Sequence, residues 1–546
     1  MSLYDKSSLL QVPSLYKDGT LVSTIPEDRS GDFTVVRGSN LSATRIGPDG
    51  YIKKGYENLL LQSNQFDTTW SQVGSFNILG GQQGYDSSNN AWSIESNSTA
   101  FDRRIQQSLS LSGVHTFSVY AKSNSTDWIL FYNGTDRVYF DLANGVVGSS
   151  QSGLIIDSKI EPTSVTGWYR CTATFNRGIS FISVVPASGD GNSNVLAGNS
   201  IYIQDAQLNQ GLVAYPYLET TDAPAQGGLL ENSPRLDWSN GVPAVLVEEQ
   251  RTNDIALSEY ASSAPNASIL YNETTSPEGL QNAMKLTIAG VSQAGITTSN
   301  AYVSNNTTYT QSCYVKKDVG DYFGFGLFQS GMPINNNNYI RWNLSDITIQ
   351  PDVQGSYVNG KAEDAGNGWI RLSATIITVD SGSRSGWKFL NMTSSAFKSS
   401  EIGNSFFIYG MQAEPNKTSV SSYIPTYGTS QTRSNEVISD DFNIPTTATI
   451  YNSFYSDVAE TVFVFDQVFN VVEGLNKVAI AFSPTAVKIS VGGSIVANAT
   501  GTYDTTSLTN IQLGSNNGSD YSNAPISGFY VFPEFLTDEE LNSLTD

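Results

Sequence analysis

Residues 115–122 read HTFSVYAK, and residues 309–316 read YTQSCYVK. In the first stretch the apolar side chains of Phe117, Val119 and Ala121 alternate with more polar ones. Side chains two residues apart lie on the same face of a β-strand, so this alternation predicts a strand with one buried face and one face toward solvent. The second stretch keeps the pattern, which predicts the same strand in a second domain.

The chain contains a long internal repeat, because four more pairs of segments occur in the same order in two copies. The pairs are ENLLLQSN (57–64) with TNDIALSE (252–259), TGWYRCTATF (166–175) with NGWIRLSATI (367–376), IYIQDAQL (201–208) with FFIYGMQA (406–413), and AYPYLETT (214–221) with SSYIPTYG (421–428). The offset between the copies grows slowly along the chain, as loop insertions would make it. Each copy has the length of a whole domain, so the repeat indicates a domain duplication.

The composition favours an all-β, multidomain protein. Charged residues make up only 15% of the 546 residues, and polar turn-forming residues take their place. Short alternating runs separated by turns such as SGDGNSN (188–194) predict tandem jelly-roll or β-sandwich domains. The run AVKISVGGSIVA (486–497) predicts a hairpin in a final lectin-like sandwich. Thr537 and Glu540 match a capping box, which predicts one short helix at the C-terminal end.

These patterns divide the chain into five parts. They are an N-terminal β segment (1–56), the first repeat (57–228), a connector (229–252), the second repeat (253–435) and the C-terminal sandwich (436–546). Segments 1–56 and 436–546 together are expected to complete one sandwich around the inserted repeats. Close packing of the two termini would support this arrangement.

The formal net charge of −22 argues against two classes of partner. The chain carries 29 Lys and Arg against 51 Asp and Glu, and its longest basic runs are pairs such as Lys53-Lys54. Nucleic acids and anionic membranes both require a basic surface, so we expect neither as a partner. We also expect no membrane insertion, since no stretch approaches the ~20 apolar residues of a span and no signal peptide is recognisable.

Alignment of the repeats assigns the two cysteines to the core. Cys171 aligns with Leu372, and Cys313 aligns with Val119. A position held by Leu or Val in the sister domain is an apolar one, so both cysteines are expected to be buried and unpaired.

The sequence contains no constellation that an enzyme would need. The sole histidine, His115, aligns with Tyr309 on a predicted strand, and no nucleophile, zinc or phosphate motif is present. No acidic pair recurs in both repeats, since Asp205 aligns with Gly410. We therefore expect a non-enzymatic protein without a cofactor. The loop DGN at 190–192 offers oxygen ligands that could hold a structural calcium ion, although a plain Asx turn is the favoured explanation.

Aromatic side chains on a sandwich are the residues that would stack on sugar rings. Trp128 aligns with Tyr322, and each follows an aspartate; Trp342 aligns with Phe140. Trp128, Tyr322 and Trp342 are therefore the candidate glycan-binding residues, and packing in a core is the alternative for each.

Several segments together resemble bacteriophage virion proteins of the tail-fibre and head-fibre type. The opening SLYDKSSLLQVPS and the run GDFTVVRGSNLSATRIGPDGYI (31–52) are similar to the start of those proteins. ENLLLQSNQFDTTW (57–70), GWYRC and IYIQDAQLNQG resemble their carbohydrate-binding-module-like domains. PRLDW and PAVLVEEQRTN resemble their connector, and the C-terminal ISGFYVFPEFLTDEELNSLT resembles the end of a laminin-G or concanavalin-like sandwich.

The resemblance implies a structural protein on the surface of a phage particle, made in the host cytoplasm. Its implied partners are other virion proteins and host-surface glycans, and analogy with phage fibres implies a homo-oligomer, namely a trimer. Residues 1–56 would then attach the protein to the virion or form part of the terminal sandwich. Two alternatives stay open: a purely structural head-fibre, capsid-decoration or tail-assembly component, and a glycan depolymerase.

Overall fold

The computed structural model describes residues 3–17, 19–38, 41–151, 154–298, 301–303, 306–329, 338–346, 351–378, 382–397, 399–457, 459–506, 508, 510–515 and 522–546. Within these ranges the chain forms 46 β-strands, one 3-10 helix (Leu3–Lys6) and one α-helix. The predicted all-β, multidomain fold is therefore confirmed.

The strands fall into groups that follow the segments of the sequence. The N-terminal segment contains β1 (Leu9–Gln11), β2 (Tyr16–Lys17), β3 (Thr20–Leu21), β4 (Phe33–Val36), β5 (Thr44–Ile46) and β6 (Ile52–Asn58). The first repeat contains β7 (Ser71–Val73), β8 (Phe76–Gln82), β9 (Ala91–Ser96), β10 (Ala100–Phe101), β11 (Arg104–Leu111), β12 (Val114–Ser123), β13 (Trp128–Tyr132), β14 (Arg137–Asp141), β15 (Val146–Gln151), β16 (Ile155–Pro162), β17 (Tyr169–Asn176), β18 (Ile179–Ala187), β19 (Asn194–Val195), β20 (Ser200–Gln210) and β21 (Ala225–Gly228).

The remaining strands belong to the connector, the second repeat and the C-terminal segment. The connector and the start of the second repeat contain β22 (Arg235–Asp237), β23 (Ala244–Leu246) and β24 (Arg251–Asn253). The second repeat continues with β25 (Ala267–Thr274), β26 (Ala283–Ile288), β27 (Gly295–Thr297), β28 (Ala301–Val303), β29 (Thr308–Val319), β30 (Tyr322–Gln329), β31 (Asn338–Asn343), β32 (Asp352–Gln354), β33 (Tyr357–Asp364), β34 (Ile370–Ile377), β35 (Gly382–Asn391), β36 (Ser405–Pro415) and β37 (Gln431–Arg433). The C-terminal segment contains β38 (Val437–Asp440), β39 (Ala448–Ser456), β40 (Glu460–Val464), β41 (Gln467–Val471), β42 (Gly474–Ser483), β43 (Ala486–Val491), β44 (Ser494–Thr500), β45 (Ile511–Leu513), β46 (Ile526–Phe532) and α1 (Asp538–Thr545).

The first repeat is a sandwich of two antiparallel sheets. One sheet has the order β16-β17-β12-β20-β9-β8, and the other has the order β15-β14-β13-β18-β11-β7. Alternate side chains from both sheets, such as Phe117, Cys171, Ile129 and Ile182, are buried between them. This packing explains the two-residue period of the sequence, because every second side chain enters the shared core.

The second repeat has the same strand order in its first sheet and nearly the same in its second. Its sheets run β33-β34-β29-β36-β26-β25 and β32-β31-β30-β35-β27, with β28 also paired to β35. Val119 lies opposite Cys171 in the first repeat, and Cys313 lies opposite Leu372 in the second. Both cysteines are buried and free of disulfides, as predicted. Topology and register therefore both repeat.

The two ends of the chain share a third sandwich. One sheet has the order β22-β23-β46-β39-β42-β43-β44, with β1 also paired to β46, and the second has the order β2-β3-β4-β38-β45. Leu9 lies opposite Val531, and both side chains are fully buried. The N-terminal segment, the connector and the C-terminal segment thus contribute strands to one domain, and the repeats are inserted between those strands.

The predicted C-terminal helix is confirmed as α1, which packs against β42, β43 and β44 through Leu541 and Leu544. The hydroxyl of Thr537 accepts from the backbone N–H of Glu540, whose carboxylate accepts from the backbone N–H of Thr537. Among the described residues no helix is long and apolar enough to cross a membrane.

Candidate ligand-binding site on the first repeat

The structure separates the three sequence-predicted glycan residues. Trp342 lies between the two sheets of the second repeat, only 3% exposed, with its ring 5.0 Å from that of Phe325. A ring enclosed on both faces cannot stack on a sugar, so the prediction for Trp342 is wrong. On β31 the side chain of Trp342 points into the core. Phe140 occupies the equivalent position on β14 of the first repeat.

Trp128 and Tyr322 occupy equivalent places, at the first residues of β13 and β30. Both are half-buried on the outer face of the second sheet of their repeat. Trp128 packs over Gly148, and the guanidinium of Arg341 lies 5.6 Å from the ring of Tyr322. Trp128 lies opposite Asp141 and close to Asp190, and both carboxylates accept backbone hydrogen bonds. The role of Trp128 and Tyr322 as ligand residues stays a prediction.

The proposed calcium loop forms a turn. The side chain of Asn192 accepts from the backbone N–H of Asn194, which is an Asx turn, and Asp190 accepts from the backbone N–H of Ser149. Among the described residues no group of three or more His, Cys, Asp or Glu side chains is arranged to hold a metal ion.

A different set of side chains converges on the outer face of the first sheet of this repeat. Val119 and Ala121 of β12 point into the core, so Tyr120 between them points outward. The ring of Tyr85, from the loop between β8 and β9, stacks on Tyr120 with centroids 3.6 Å apart and planes 7° apart. The hydroxyl of Tyr85 donates to Oδ2 of Asp205 at 2.8 Å.

The sequence of the β8–β9 loop holds Tyr85 in this place. The carboxylate of Asp86 accepts from both the backbone N–H and the hydroxyl of Ser88, which closes a tight turn. The backbone N–H of Tyr85 donates to the side chain of Gln204, and a side chain on Gly84 would overlap that amide. The loop is therefore fixed against β20, and Tyr85 needs no ligand to adopt its stacked position.

Asp205 sits at a β-bulge of β20 with an unusual backbone conformation. Its φ is 54°, and the register of β20 against β12 shifts beside it, between Ser118 and Tyr120. The equivalent residue of the second repeat is Gly410, with a φ of 61°. Glycine adopts this conformation without strain, whereas an aspartate there costs roughly 1 kcal/mol or more. Bulges redirect side chains, and this one turns the carboxylate of Asp205 toward Tyr85.

The surroundings of Asp205 oppose its ionisation. The pKa of its carboxyl group is raised to about 6, mainly by burial and also by the neighbouring carboxylates of Asp86 and Glu219, whereas hydrogen bonds from Tyr85 and Tyr217 lower it. The site thus combines two stacked aromatic rings, both half-buried, with a buried carboxylate, and the guanidinium of Arg170 lies 5.5 Å from the ring of Tyr120.

In the second repeat the same face is covered by the N-terminal segment. Ile52 of β6 is buried against Tyr314, the equivalent of Tyr120, and against Trp369 and Tyr423. The backbone N–H of Ile52 donates to the carbonyl of Pro277, in the loop that corresponds to the loop of Tyr85. This face therefore serves as a contact between parts of the chain.

Lys54, two residues further on, places its ammonium group in the same covered pocket. Its Nζ lies 2.7 Å from Glu259 and 3.0 Å from Glu278, and it donates to the hydroxyl of Tyr427 at 2.6 Å. Burial disfavours the charged ammonium, but the two carboxylates outweigh that effect and raise the pKa of Lys54 well above its usual value. Tyr215 of the first repeat also donates to Glu278 at 2.8 Å.

Tyr85 could not be recognised from the sequence, because its partners come from distant strands and it has no counterpart of like type in the second repeat. One signal was present in the sequence: Asp205 stands where the second repeat has a glycine, Gly410. A substitution of that kind, in a conformation that suits glycine, marks a position where the two repeats have diverged in role.

No protein-family model and no curated protein matches this sequence. Among solved structures, the chain matches the N-terminal tandem CBM22-1–CBM22-2 domains of Xyn10C from Paenibacillus barcinonensis, at 10% sequence identity. The match covers 69% of this chain and 99% of that one, with a TM-score of 0.21. A TM-score this low does not establish a shared fold. The tandem arrangement of the two repeats is therefore inferred only from the sheets described above.

Proposed function

We propose that this protein is a non-enzymatic structural component of a bacteriophage particle and that its first repeat binds glycans of the host surface. The observation that carries the proposal is the stacked pair of Tyr85 and Tyr120 beside the carboxylate of Asp205. An aromatic face attracts the C–H groups of a sugar ring, and a fixed carboxylate accepts hydrogen bonds from its hydroxyl groups.

The two repeats differ in a way that supports one glycan site per chain. In the first repeat, Tyr85 and Tyr120 are half-buried and reach solvent. In the second, the equivalent Tyr314 is only 5% exposed beneath Ile52 and the other residues of the N-terminal segment. Duplication followed by this divergence leaves one copy for ligand and uses the other to hold the chain together.

The virion setting rests on the sequence resemblance of residues 1–56, the connector and the C-terminal segment. We place the protein on the particle surface, as a homotrimer in contact with other virion proteins. The terminal sandwich suits attachment to the particle. It contains β1 and β46, and it is a different domain from the one whose face carries Tyr85 and Tyr120.

A purely structural role is the second candidate, and one surface feature favours it. In the hairpin of β40 and β41, Phe463 is 73% exposed and lies directly opposite Val468, which is 49% exposed. Val472, just past the hairpin, is 57% exposed. Clustered exposed apolar side chains commonly mark protein contacts, so this hairpin suits packing against a neighbouring virion protein.

The proposed function is tested by binding of the labelled full-length protein to host cells, with and without periodate oxidation of surface sugars. We expect saturable binding that periodate abolishes and that Tyr85→Ala weakens at least tenfold. Tyr260→Ala is the matched control, because Tyr260 is also half-buried and stacked, on Tyr271 at 4.9 Å, but lies in the second repeat.

Two results would contradict the glycan proposal. One is binding that survives periodate, and the other is equal loss of binding in Tyr85→Ala and Tyr260→Ala. Incubation of the protein with the bound polysaccharide should release no new reducing ends, and their release would establish a depolymerase instead.

A further inference from the structure

The pocket that holds the ammonium group of Lys54 has a counterpart in the first repeat. Alignment of the two sheets places Asp86 where Glu278 lies, and Gln204 where Tyr409 lies. Glu278 and Tyr409 are both direct members of the Lys54 pocket, since the hydroxyl of Tyr409 donates to Glu278 at 3.0 Å.

The floor of the two pockets is also equivalent. Ser63 and Tyr217 share a hydrogen bond of 2.7 Å in the first repeat, and Ser258 and Tyr423 share one of 2.6 Å in the second. Trp168 and Trp369 are each only 1% exposed at the same place before β17 and β34. The same framework therefore surrounds the cation in one repeat and the site of Tyr85 in the other.

The first repeat keeps carboxylates in this pocket, and within the described part of the chain neither Asp86 nor Asp205 forms an ion pair; the guanidinium of Arg170 lies farther along the face, 5.5 Å from the ring of Tyr120. Asp205 is only 7% exposed, and Asp86 and Glu219 act on it with the same sign of charge. In the second repeat Glu278, the equivalent of Asp86, is balanced by Lys54, which also pairs with Glu259, whose equivalent in the first repeat is the neutral Asn64. A ligand with a positive charge would supply in the first repeat what Lys54 supplies in the second.

We propose that the pocket formed by Asp86, Tyr85 and Asp205 binds the protonated amino group of an amino sugar, with the sugar ring against the exposed side of Tyr85. This inference rests on the proposed function and names its ligand class: glycans that carry free primary amines. A lysine side chain has the same ammonium chemistry, but the adjacent aromatic pair favours a flat-faced sugar over a flexible alkyl chain.

The test is titration calorimetry of the full-length protein at pH 7 with two probes of equal length. One is the glucosamine tetramer with free amines, and the other is its N-acetylated form, which is neutral. We expect the free-amine tetramer to bind at least tenfold more tightly. Asp205→Asn and Asp86→Asn should each remove most of that preference, because each deletes a negative charge with little change in shape.

Asp127→Asn is the matched control, since Asp127 is exposed and precedes β13 of the other sheet. Its preference for the free-amine tetramer should equal that of the unaltered protein. A third probe, N-acetyl-lysine methylamide, separates the two sources of ammonium and is expected to bind at least tenfold more weakly than the free-amine tetramer.

Equal affinity for both tetramers, or a preference that survives both substitutions, would overturn the inference. In that case sugar-dependent binding to host cells would still uphold the broader proposed function. Tighter binding of the lysine derivative would overturn the amino-sugar assignment as well, and would identify the pocket as a docking site for protein lysines. Loss of both tetramer binding and periodate-sensitive cell binding would refute both proposals.

Discussion

His115, the only histidine of the chain, has the character of a buried strand residue. It lies on β12 with 1% of its surface exposed, opposite Phe175 on one side and Gln210 on the other. The repeat alignment predicted a plain strand position, and the structure confirms it. Burial lowers the pKa of this imidazole to about 4.

The depressed pKa of His115 predicts a loss of stability in acid. The unfolded chain takes up the proton near pH 6.5 and the folded protein only near pH 4, so protonation favours unfolding within this window. Stability should be complete above about pH 6.5 and fall as the pH drops toward 4. A shift of this size corresponds to at most about 3 kcal/mol.

The measurement compares thermal unfolding of the unaltered protein and His115→Phe from pH 7 to pH 4. The difference between the two should grow steadily in favour of the variant as the pH falls. NMR titration of the single imidazole gives the pKa directly, and a value of 6 or higher would contradict the prediction.

The residue scale also shows where alignment misleads. Trp342 and Phe140 are both aromatic at one position of two repeats, and such agreement favours a core position more than a ligand platform. Tyr85 and Asp205, in contrast, have unlike counterparts in Pro277 and Gly410. Because the proposed ligand residues need a free face, difference between the copies was the more informative signal.

At the scale of elements, the contact between the repeats depends on a glycine. Gly113, before β12, has a φ of 95°, and a Cβ there would overlap the carbonyl oxygen of Tyr427. The next residue, Val114, donates its backbone N–H to that same carbonyl at 2.8 Å. The repeats therefore meet through backbone atoms that leave no room for a side chain.

Gly113→Ala is expected to loosen this contact by about 1–3 kcal/mol, through the left-handed conformation and the overlap together. Gly178→Ala is the control, since Gly178 lies nearby without a positive φ, and its new Cβ would meet only ordinary contacts. Limited proteolysis should cut between the repeats faster in Gly113→Ala alone. Equal cleavage of both variants would show that the contact tolerates a side chain.

Elements were largely predictable where the two-residue period is regular. The equivalent strands β12 and β29, the hairpin of β43 and β44 and the capped helix α1 all follow from local patterns. The bulge at Asp205 was not predictable, because it arises where β20 pairs with β12 and reflects long-range register more than local sequence.

At the scale of the whole molecule, Lys54 connects three parts of the chain. It comes from the N-terminal segment, binds Glu259 and Glu278 of the second repeat, and lies 5.6 Å from the ring of Tyr215 of the first. A buried ion pair adds little net stability when intact, but removal of one partner leaves uncompensated charge inside the protein.

Lys54→Met is therefore expected to destabilise the protein by about 3–5 kcal/mol and to separate the N-terminal segment from the second repeat. The matched control is the adjacent Lys53→Met, because Lys53 pairs with Asp49 at the surface, where a salt bridge contributes less than about 1 kcal/mol. Thermal unfolding and hydrogen exchange of residues 52–58 report the effect. Similar losses in both variants would show that Lys54 contributes no more than a surface charge.

The plan of the molecule was predictable only in part. The duplication followed from matched segments, because homologous domains keep their strand patterns. The sequence did not show which repeat would keep an exposed face. Ile52 and Lys54 of β6 pack against the second repeat, although they come from a distant part of the chain. Such contacts depend on how the domains assemble.

The pairing of Leu9 with Val531 also fixes an order of events during synthesis. At about 5–20 residues per second, the ribosome needs roughly half a minute to two minutes to make the chain that separates these partners. Both repeats contain all their own sheet strands and can fold during that interval. The sandwich that contains both strands must wait for β46, so β1 emerges long before its partner and is among the last of the described strands to pair.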